Sequence, residues 1–198
     1  MSFVRVVLIA LFVGLPAVLH GQAIPAGVIG GGYGLEEGAV PRGEAGFNYN
    51  FIHANAPPGQ CGCFSFNGGS ASFVWNMRPA WAAVADLTVA HVNNADNQGQ
   101  DITIINYLFG VRYTRRNHTR YLPYAQALFG GAKEDVNFQF DINRNSFGLM
   151  GGGGVTTRLK DHLGLNIIEA DWVYTQVPNA VNDRQNNLRI ATGLIYRF

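Results

Sequence analysis

Two cysteines, two histidines, two glycine runs and a set of charged residues carry most of the chemistry this sequence could perform. Cys61 and Cys63 stand in CGCF. In an exported chain that spacing offers a candidate disulfide that is strained and redox-labile, because the bond closes a very small ring. Thiols that stay reduced or pair between molecules are the alternative; a structural zinc would need four ligands. His53 and His91 lie in FIHANA and VAHVNN. A lipid hydrolase needs a nucleophilic serine and an orienting acid beside such a base. Neither string contains a serine, so the two histidines read as interfacial or loop-base residues. The runs Gly30-Gly31-Gly32-Tyr33-Gly34 and Gly151 to Gly154 lack the Gly-Lys-Ser/Thr of a phosphate loop, and neither opens a helical pattern. The first reads as a flexible exported segment, the second as a strand whose glycines permit tight curvature.

The charged residues are informative through their parity. The chain ends in LRIATGLIYRF, where Leu188, Ile190, Thr192, Leu194, Tyr196 and Phe198 alternate with Arg189, Ala191, Gly193, Ile195 and Arg197. Successive side chains of a strand point to opposite faces, so this is a strand with two different surroundings. Seven earlier stretches behave alike: GEAGFNYNFIH, SASFVWNM, WAAVADLTVA, DITIINYLFGVRY, YLPYAQALFGG, SFGLMGGGGVTTR and LGLNIIEADWVYTQ. In each, aromatic and aliphatic residues such as Phe47, Trp75, Phe109, Phe129 and Trp172 share one face. Glu44, Asp86, Arg112, Arg158, Glu169, Asp171, Arg189 and Arg197 take the other. In the fifth stretch Gln126 is placed inward, with Ala125, Ala127 and Phe129 outward. The first half of the seventh is apolar on both faces, which allows a bulge.

This pattern suits a barrel whose aromatic face meets lipid and whose charges line the interior, since a lipid-facing Arg or Lys near the bilayer midplane costs about 2–4 kcal/mol. Only 14% of residues are charged, against about a quarter in a soluble domain. The interior of an eight-stranded barrel is just wide enough for side chains to fill. The inward acids and arginines are therefore expected to form an ion-pair network that closes the lumen. The formal net charge of +1 and the absence of a basic cluster give no sign of a nucleic-acid partner.

The N-terminus indicates the compartment. One positive charge precedes an apolar run from Val6 to Leu19, followed by Gly21-Gln22-Ala23. At about 14 residues the run is short for a spanning helix of roughly 20 and fits a secretory signal with small residues at its cleavage site. The expected organisation is residues 1–23 as signal peptide, 24–42 as a glycine-rich segment and 43–198 as the barrel. No later apolar run is long enough for a helix, so any crossing is by strands.

The connections add an asymmetry. ANAPPGQCGCFSFNGG, VNNADNQGQ, AKEDVNFQFDINRN and VPNAVNDRQNN follow the odd-numbered strands and are long and polar; Arg78-Pro79-Ala80, TRRNHTR and LKDH follow the even ones and are shorter. Short turns on the periplasmic side and longer loops outside are the usual arrangement, and an even strand count returns the C-terminus to the periplasm. With the signal, the four hairpins and the closing GLIYRF, the chain resembles the small eight-stranded outer-membrane β-barrel family, the group that includes the OmpA transmembrane domain, in stand-alone form. The resemblance covers roughly residues 43–198. It implies an all-β, antiparallel up-and-down barrel in the outer membrane, contacts with outer-membrane lipid, and a terminal strand read by the barrel-assembly machinery through Leu194, Tyr196 and Phe198. Peptidoglycan binding is not carried over. The expected role is structural or adhesive, with an extracellular ligand at the loops, no cofactor and no catalysis. The alternatives are a narrow transporter of small hydrophobic solutes working through a lateral opening and a lipid-modifying enzyme.

Overall fold

The computed structural model describes residues 40–54, 65–95, 100–116, 119–138, 140–176 and 184–198. Cys61, Cys63, the signal and all but the last three residues of the glycine-rich segment lie outside them. Eight strands follow one another in sequence order: β1 (Gly43–Ala54), β2 (Ser65–Asn76), β3 (Trp81–Ala95), β4 (Gln100–Thr114), β5 (Tyr121–Phe138), β6 (Phe140–Arg158), β7 (Leu163–Thr175) and β8 (Gln185–Arg197). Each pairs antiparallel with its neighbours, and β8 pairs with β1 to close the barrel. Closure leaves no free sheet edge around the ring, which a barrel in lipid requires because hydrocarbon satisfies no backbone group.

Two turns close with the same hydrogen bonds. Trp81 N–H donates to Arg78 O at 3.2 Å, while the Met77 and Arg78 amides donate to Trp81 O. Leu163 N–H likewise donates to Lys160 O at 3.2 Å, while the Leu159 and Lys160 amides donate to Leu163 O. Pro79 stands at the second position of the first turn, where its fixed φ is favoured. At the same end, Gly43 and Phe198 exchange two backbone hydrogen bonds of 3.0 Å. The Phe198 ring lies so close over Gly43 that a Cβ there would stand 2.6 Å from it. Asn76 holds the chain that leads into β1, its Nδ2 donating to Pro41 O at 2.8 Å and its backbone amide to Arg42 O at 3.1 Å.

The alternation in sequence becomes an alternation in exposure. Phe47 is 64% exposed and Phe129 61%, while Asn50 and Asp171 are fully buried. Gln126 points inward and Ala125, Ala127 and Phe129 outward. The period breaks in β7, where Ile167 and Ile168 are both exposed and the register slips on both flanks, between Asn166 and Glu169 against β8 and between Val155 and Thr156 against β6. One extra residue on the outer wall keeps Asn166 and Glu169 both facing inward. Without the bulge, two apolar neighbours in sequence would send one isoleucine into the polar interior.

The connections differ from the sequence reading. The segment AKEDVNFQFDINRN is not a loop: Ala132 to Phe138 pairs with Phe140 to Ser146, and residue 139 alone separates β5 from β6. β2 begins at Ser65 and so takes in FSFNGG from Ser65 onward, and β3 and β4 extend until residues 96–99 remain between them. The asymmetry between the two ends is therefore carried by strand length as much as by loops. A spanning strand needs about 9–11 residues, and β5 and β6 have 18 and 19. A polar ribbon of alternating residues keeps its ladder beyond the apolar belt because both strands of a hairpin satisfy each other's backbone groups.

The interior is also less polar than expected. Val74, Ala82, Val84, Leu108, Leu128, Met150 and Val173 form one buried apolar cluster. Ile52, Ala54, Phe66, Ala90, Ile102 and Ile104 form a second, at the end away from the short turns. A narrow lumen is packed like a core, so inward positions accept whatever side chain fills the space.

Candidate functional site

The inward polar residues converge on Arg189. β8 carries it opposite Asp171 of β7, its partner in register. The Nε donates to Asp171 Oδ2 at 3.1 Å and the Nη2 to the same oxygen at 2.8 Å. The Nη2 also pairs with Glu169 Oε1. From the other side Nη1 reaches across the lumen to β3, donating to Asp86 Oδ1 at 3.1 Å and to Thr88 Oγ1 at 2.8 Å. Thr88 in turn donates to Asp86 Oδ1 at 2.7 Å. Arg189 is 1% exposed, so this is a cation enclosed by three carboxylates rather than a surface pair.

A second layer continues from the carboxylates. Gln126 Nε2 donates to Glu169 Oε1 at 3.1 Å and to Asp171 Oδ1 at 3.2 Å. Its carbonyl oxygen accepts from Arg112 Nε and Nη2 at 3.1 and 2.7 Å. The Arg112 guanidinium sits 4.1 Å from the centre of the Tyr124 ring, a cation–π distance. The Tyr124 hydroxyl donates to Glu169 Oε2, which also accepts from Asn166 Nδ2 at 3.0 Å. Asn166 reaches on to Asn48 Oδ1 at 3.1 Å. Many of these bonds join strands that are not neighbours in the wall: β3 to β8, β5 to β7, and β7 to β1. Such bonds occupy the lumen. A cavity of about 10 Å³ remains beside them, lined by residues that include Glu44, Ser72, Arg112 and Glu169, room for roughly one water molecule.

The wall must give way for this cluster. Gly152 of β6 faces inward opposite Asp171, and a Cβ on it would collide with Ala170 O and Asp171 Oδ1. The glycine run in β6 therefore admits the carboxylate rather than a phosphate.

Not every inward charge joins. Asp86, Glu169, Asp171 and Arg189 meet directly. Arg112 reaches the carboxylates through Gln126, its partner in register, and through Tyr124, whose ring it faces and whose hydroxyl donates to Glu169. Glu44 stands apart at the short-turn end, accepting from Asn76 Nδ2 at 3.3 Å and lying 3.8 Å from Arg197 Nε. Arg158 is half-buried near the same end, and its Nε hydrogen-bonds no described residue. Tyr124, Thr88, Asn166 and Asn48 belong to the network without having been singled out as site residues in sequence. For Tyr124, Thr88 and Asn48 inward parity was the available signal, but parity gives the face and not the partner; Asn166 has the outward parity of Ile168 and is turned inward only by the β7 bulge.

The two histidines are exposed on the outer wall. His91 Nδ1 lies 2.9 Å from Thr103 Oγ1 and its Nε2 2.8 Å from Asn93 Oδ1. At His53 the structure corrects the sequence reading that no serine stands beside it. The register of β1 and β2 brings Ser65 opposite, with Oγ 3.3 Å from Nδ1. Among the described residues no carboxylate hydrogen-bonds the His53 ring, so the acid that would orient a base is not supplied there. Among the described residues no group of three or more His, Cys, Asp or Glu is arranged to hold a metal.

The last strand is built into the seam. Leu194, Tyr196 and Phe198 face outward, at 52%, 54% and 39% exposure. The Phe198 ring lies 6.0 Å from Phe73 and 6.4 Å from Tyr196, and Tyr196 stacks on His162 at 5.9 Å. His162 also ties the β6–β7 turn to the terminus, its Nδ1 lying 2.9 Å from Arg197 O.

No family model and no curated protein matches the sequence. Solved structures do. Neisserial surface protein A aligns with a TM-score of 0.64 at 15% identity, over 79% of this chain and 97% of that one. Ail, the attachment invasion locus protein of Yersinia pestis, aligns at 0.51 and 15%, over 79% and 99%. The outer membrane protein OprG of Pseudomonas aeruginosa aligns at 0.51 and 14%, over 80% and 97%. At such identities the likeness speaks for the fold. With eight antiparallel strands closed into one ring, aromatics outside and a packed polar cluster within, the chain has the fold of the small eight-stranded outer-membrane β-barrels.

Proposed function

We propose that this chain is an integral outer-membrane barrel and not an enzyme, a rigid anchor that presents loops and an extended β5–β6 ribbon to the outside for a structural or adhesive role. It reaches the membrane by Sec-type export with signal cleavage near Ala23. The observation that carries this reading is the lumen: Arg189, bonded to Asp86 and Thr88 of β3 and to Glu169 and Asp171 of β7, closes the path that a channel would need. The exposed aromatic wall supplies the lipid contact. Leu194, Tyr196 and Phe198 are the residues we assign to the barrel-assembly machinery. Adhesion agrees with the name of Ail, and Ail has also been crystallised with a heparin analogue, sucrose octasulfate; an extracellular ligand of this chain would meet the loop end.

One observation favours a second reading, a narrow transporter that releases small hydrophobic solutes sideways. β6 runs on from Ser146 to Phe140 beyond its last rung with β7, Gly148 with Thr175, so the wall is lower over β7 than over β5 and β6. The apolar interior cluster around Phe66 and Ile104 lies at that same end.

Planar-bilayer recording of the purified chain, together with uptake of a small hydrophobic dye into protein-loaded vesicles, tests the choice. A closed anchor gives neither steady conductance steps nor faster uptake. Steps that disappear on altering Asp86 or Arg112 would overturn the closed lumen, and uptake without steps would favour the lateral route. Protease shaving of intact cells tests orientation: cleavage in residues 55–64 or 177–183, with the short turns protected, is the expected pattern.

A further inference from the structure

We propose that the barrel rim carrying the short turns is a binding surface for the phosphates of anionic phospholipids in the leaflet on that side. The inference rests on the reading that the aromatic wall is embedded in lipid.

Charge is divided unevenly between the two ends. At the short-turn end Arg42, Arg78, Arg115, Arg120 and Lys160 are exposed, and Asp161 is the one exposed acidic side chain there among the described residues. At the opposite end, among the residues whose side chains are described, Asp101, Glu134 and Asp135 outnumber Lys133 and Arg184. An evenly solvated surface would give no reason for that division.

Two of the cations are also placed at a particular height on the wall. The Arg42 guanidinium lies 5.6 Å from the centre of the Trp75 ring, and that of Arg120 lies 5.4 Å from the centre of Tyr121. Both rings face outward, at 41% and 47% exposure. These arginines therefore lie against the outside of the barrel and not over its mouth. Trp81 and Tyr113 pack edge to face at 5.2 Å in the same zone. Tryptophan and tyrosine gather where the hydrocarbon meets the headgroups, so a guanidinium resting on them is level with the phosphates. Its planar fork of donors matches a phosphate's oxygens and tolerates an aromatic face beneath it. Arg116 provides a contrast within the same connection: its Nε is turned to Pro79 O at 2.5 Å and its Nη2 lies 3.4 Å from Asn76 Oδ1, so it braces the turns.

The test uses the full-length protein folded into phosphatidylcholine vesicles containing a trace of spin-labelled phosphatidylglycerol or spin-labelled phosphatidylcholine. Electron spin resonance measures how much of each lipid is held at the protein surface. The expected result is a severalfold preference for phosphatidylglycerol, since a basic side chain near an anionic surface changes affinity by about fivefold, and a loss of that preference as salt is raised. Substituting Arg42→Gln, Arg120→Gln and Lys160→Gln together, which leaves Arg78 and Arg115, should cut the preference by at least half, whereas Lys133→Gln at the far end should leave it intact. Equal retention of both lipids by the unsubstituted protein, or a preference indifferent to salt, overturns the proposal while leaving the barrel in its membrane. No retained lipid of either kind would instead refute the membrane reading on which it stands.

Discussion

Replacing Arg189 by methionine removes the cation and leaves a side chain of comparable length. Three carboxylates, Asp86, Glu169 and Asp171, then face one another in a closed space, left with Thr88, Gln126, Tyr124 and Asn166 as donors. Breaking a buried pair by deleting one partner costs about 3–5 kcal/mol, because the stranded charge keeps its desolvation penalty. Here the same guanidinium serves three acids, so the upper half of that range is expected. The figure is a large fraction of the roughly 5–15 kcal/mol that separates most folded domains from unfolding. Urea unfolding of the chain in lipid vesicles, followed by tryptophan fluorescence and by the heat-modifiable band on a gel, reads the change. With a slope of about 1–3 kcal/mol per molar urea, the midpoint should fall by at least about 1 M. The triple variant Arg189→Met, Glu169→Gln, Asp171→Asn should recover part of the loss, since it removes the cation together with two of its three carboxylates and leaves Asp86 with its Thr88 donor. A drop below about 1 kcal/mol in the single variant, or a triple variant no more stable than the single, would refute the view that this cluster is held by Arg189.

Other outcomes follow from the wall and the seam. Phe109→Arg, midway along the membrane-facing part of β4, should lose about 2–4 kcal/mol in the same unfolding assay, and Tyr113→Arg near the strand end no more than about 1; equal losses at both would speak against a bilayer around the aromatic face. Gly152→Val should destabilise by at least about 1–3 kcal/mol because its branches must displace Asp171 or bend β7, whereas Gly151→Ala, which meets nothing within 4 Å, should be nearly silent. Deleting Phe198 removes the ring over Gly43 and two backbone hydrogen bonds at the seam. The folded fraction on a heat-modifiability gel should fall, and an unchanged band would contradict its role in closure and assembly.

The parity of each strand was legible along the chain because a strand's side chains alternate without reference to anything distant. Phe47 outside and Asn48 inside, Phe109 outside and Arg112 inside, and the inward placement of Gln126 all follow from that local rule, which also left room for a bulge in the apolar first half of the seventh stretch; its place at Ile167 and Ile168 came from the register. The eight-fold count and the short turns at Arg78-Pro79-Ala80 and LKDH follow from the same reading. Registry across the barrel was not legible. That Arg189 meets Asp86, 103 positions away, depends on the shear that closure imposes on all eight strands at once, and no single strand encodes it. For the same reason Arg112 answers to Gln126 and not to a carboxylate, and Ser65 comes to lie beside His53. The ribbon of β5 and β6 escaped notice because its polar residues look like loop until two strands pair and satisfy each other's backbone. Amino-acid order thus determined which face each strand shows, except in β7 ahead of its bulge; only the closed ring decided which inward side chains would touch.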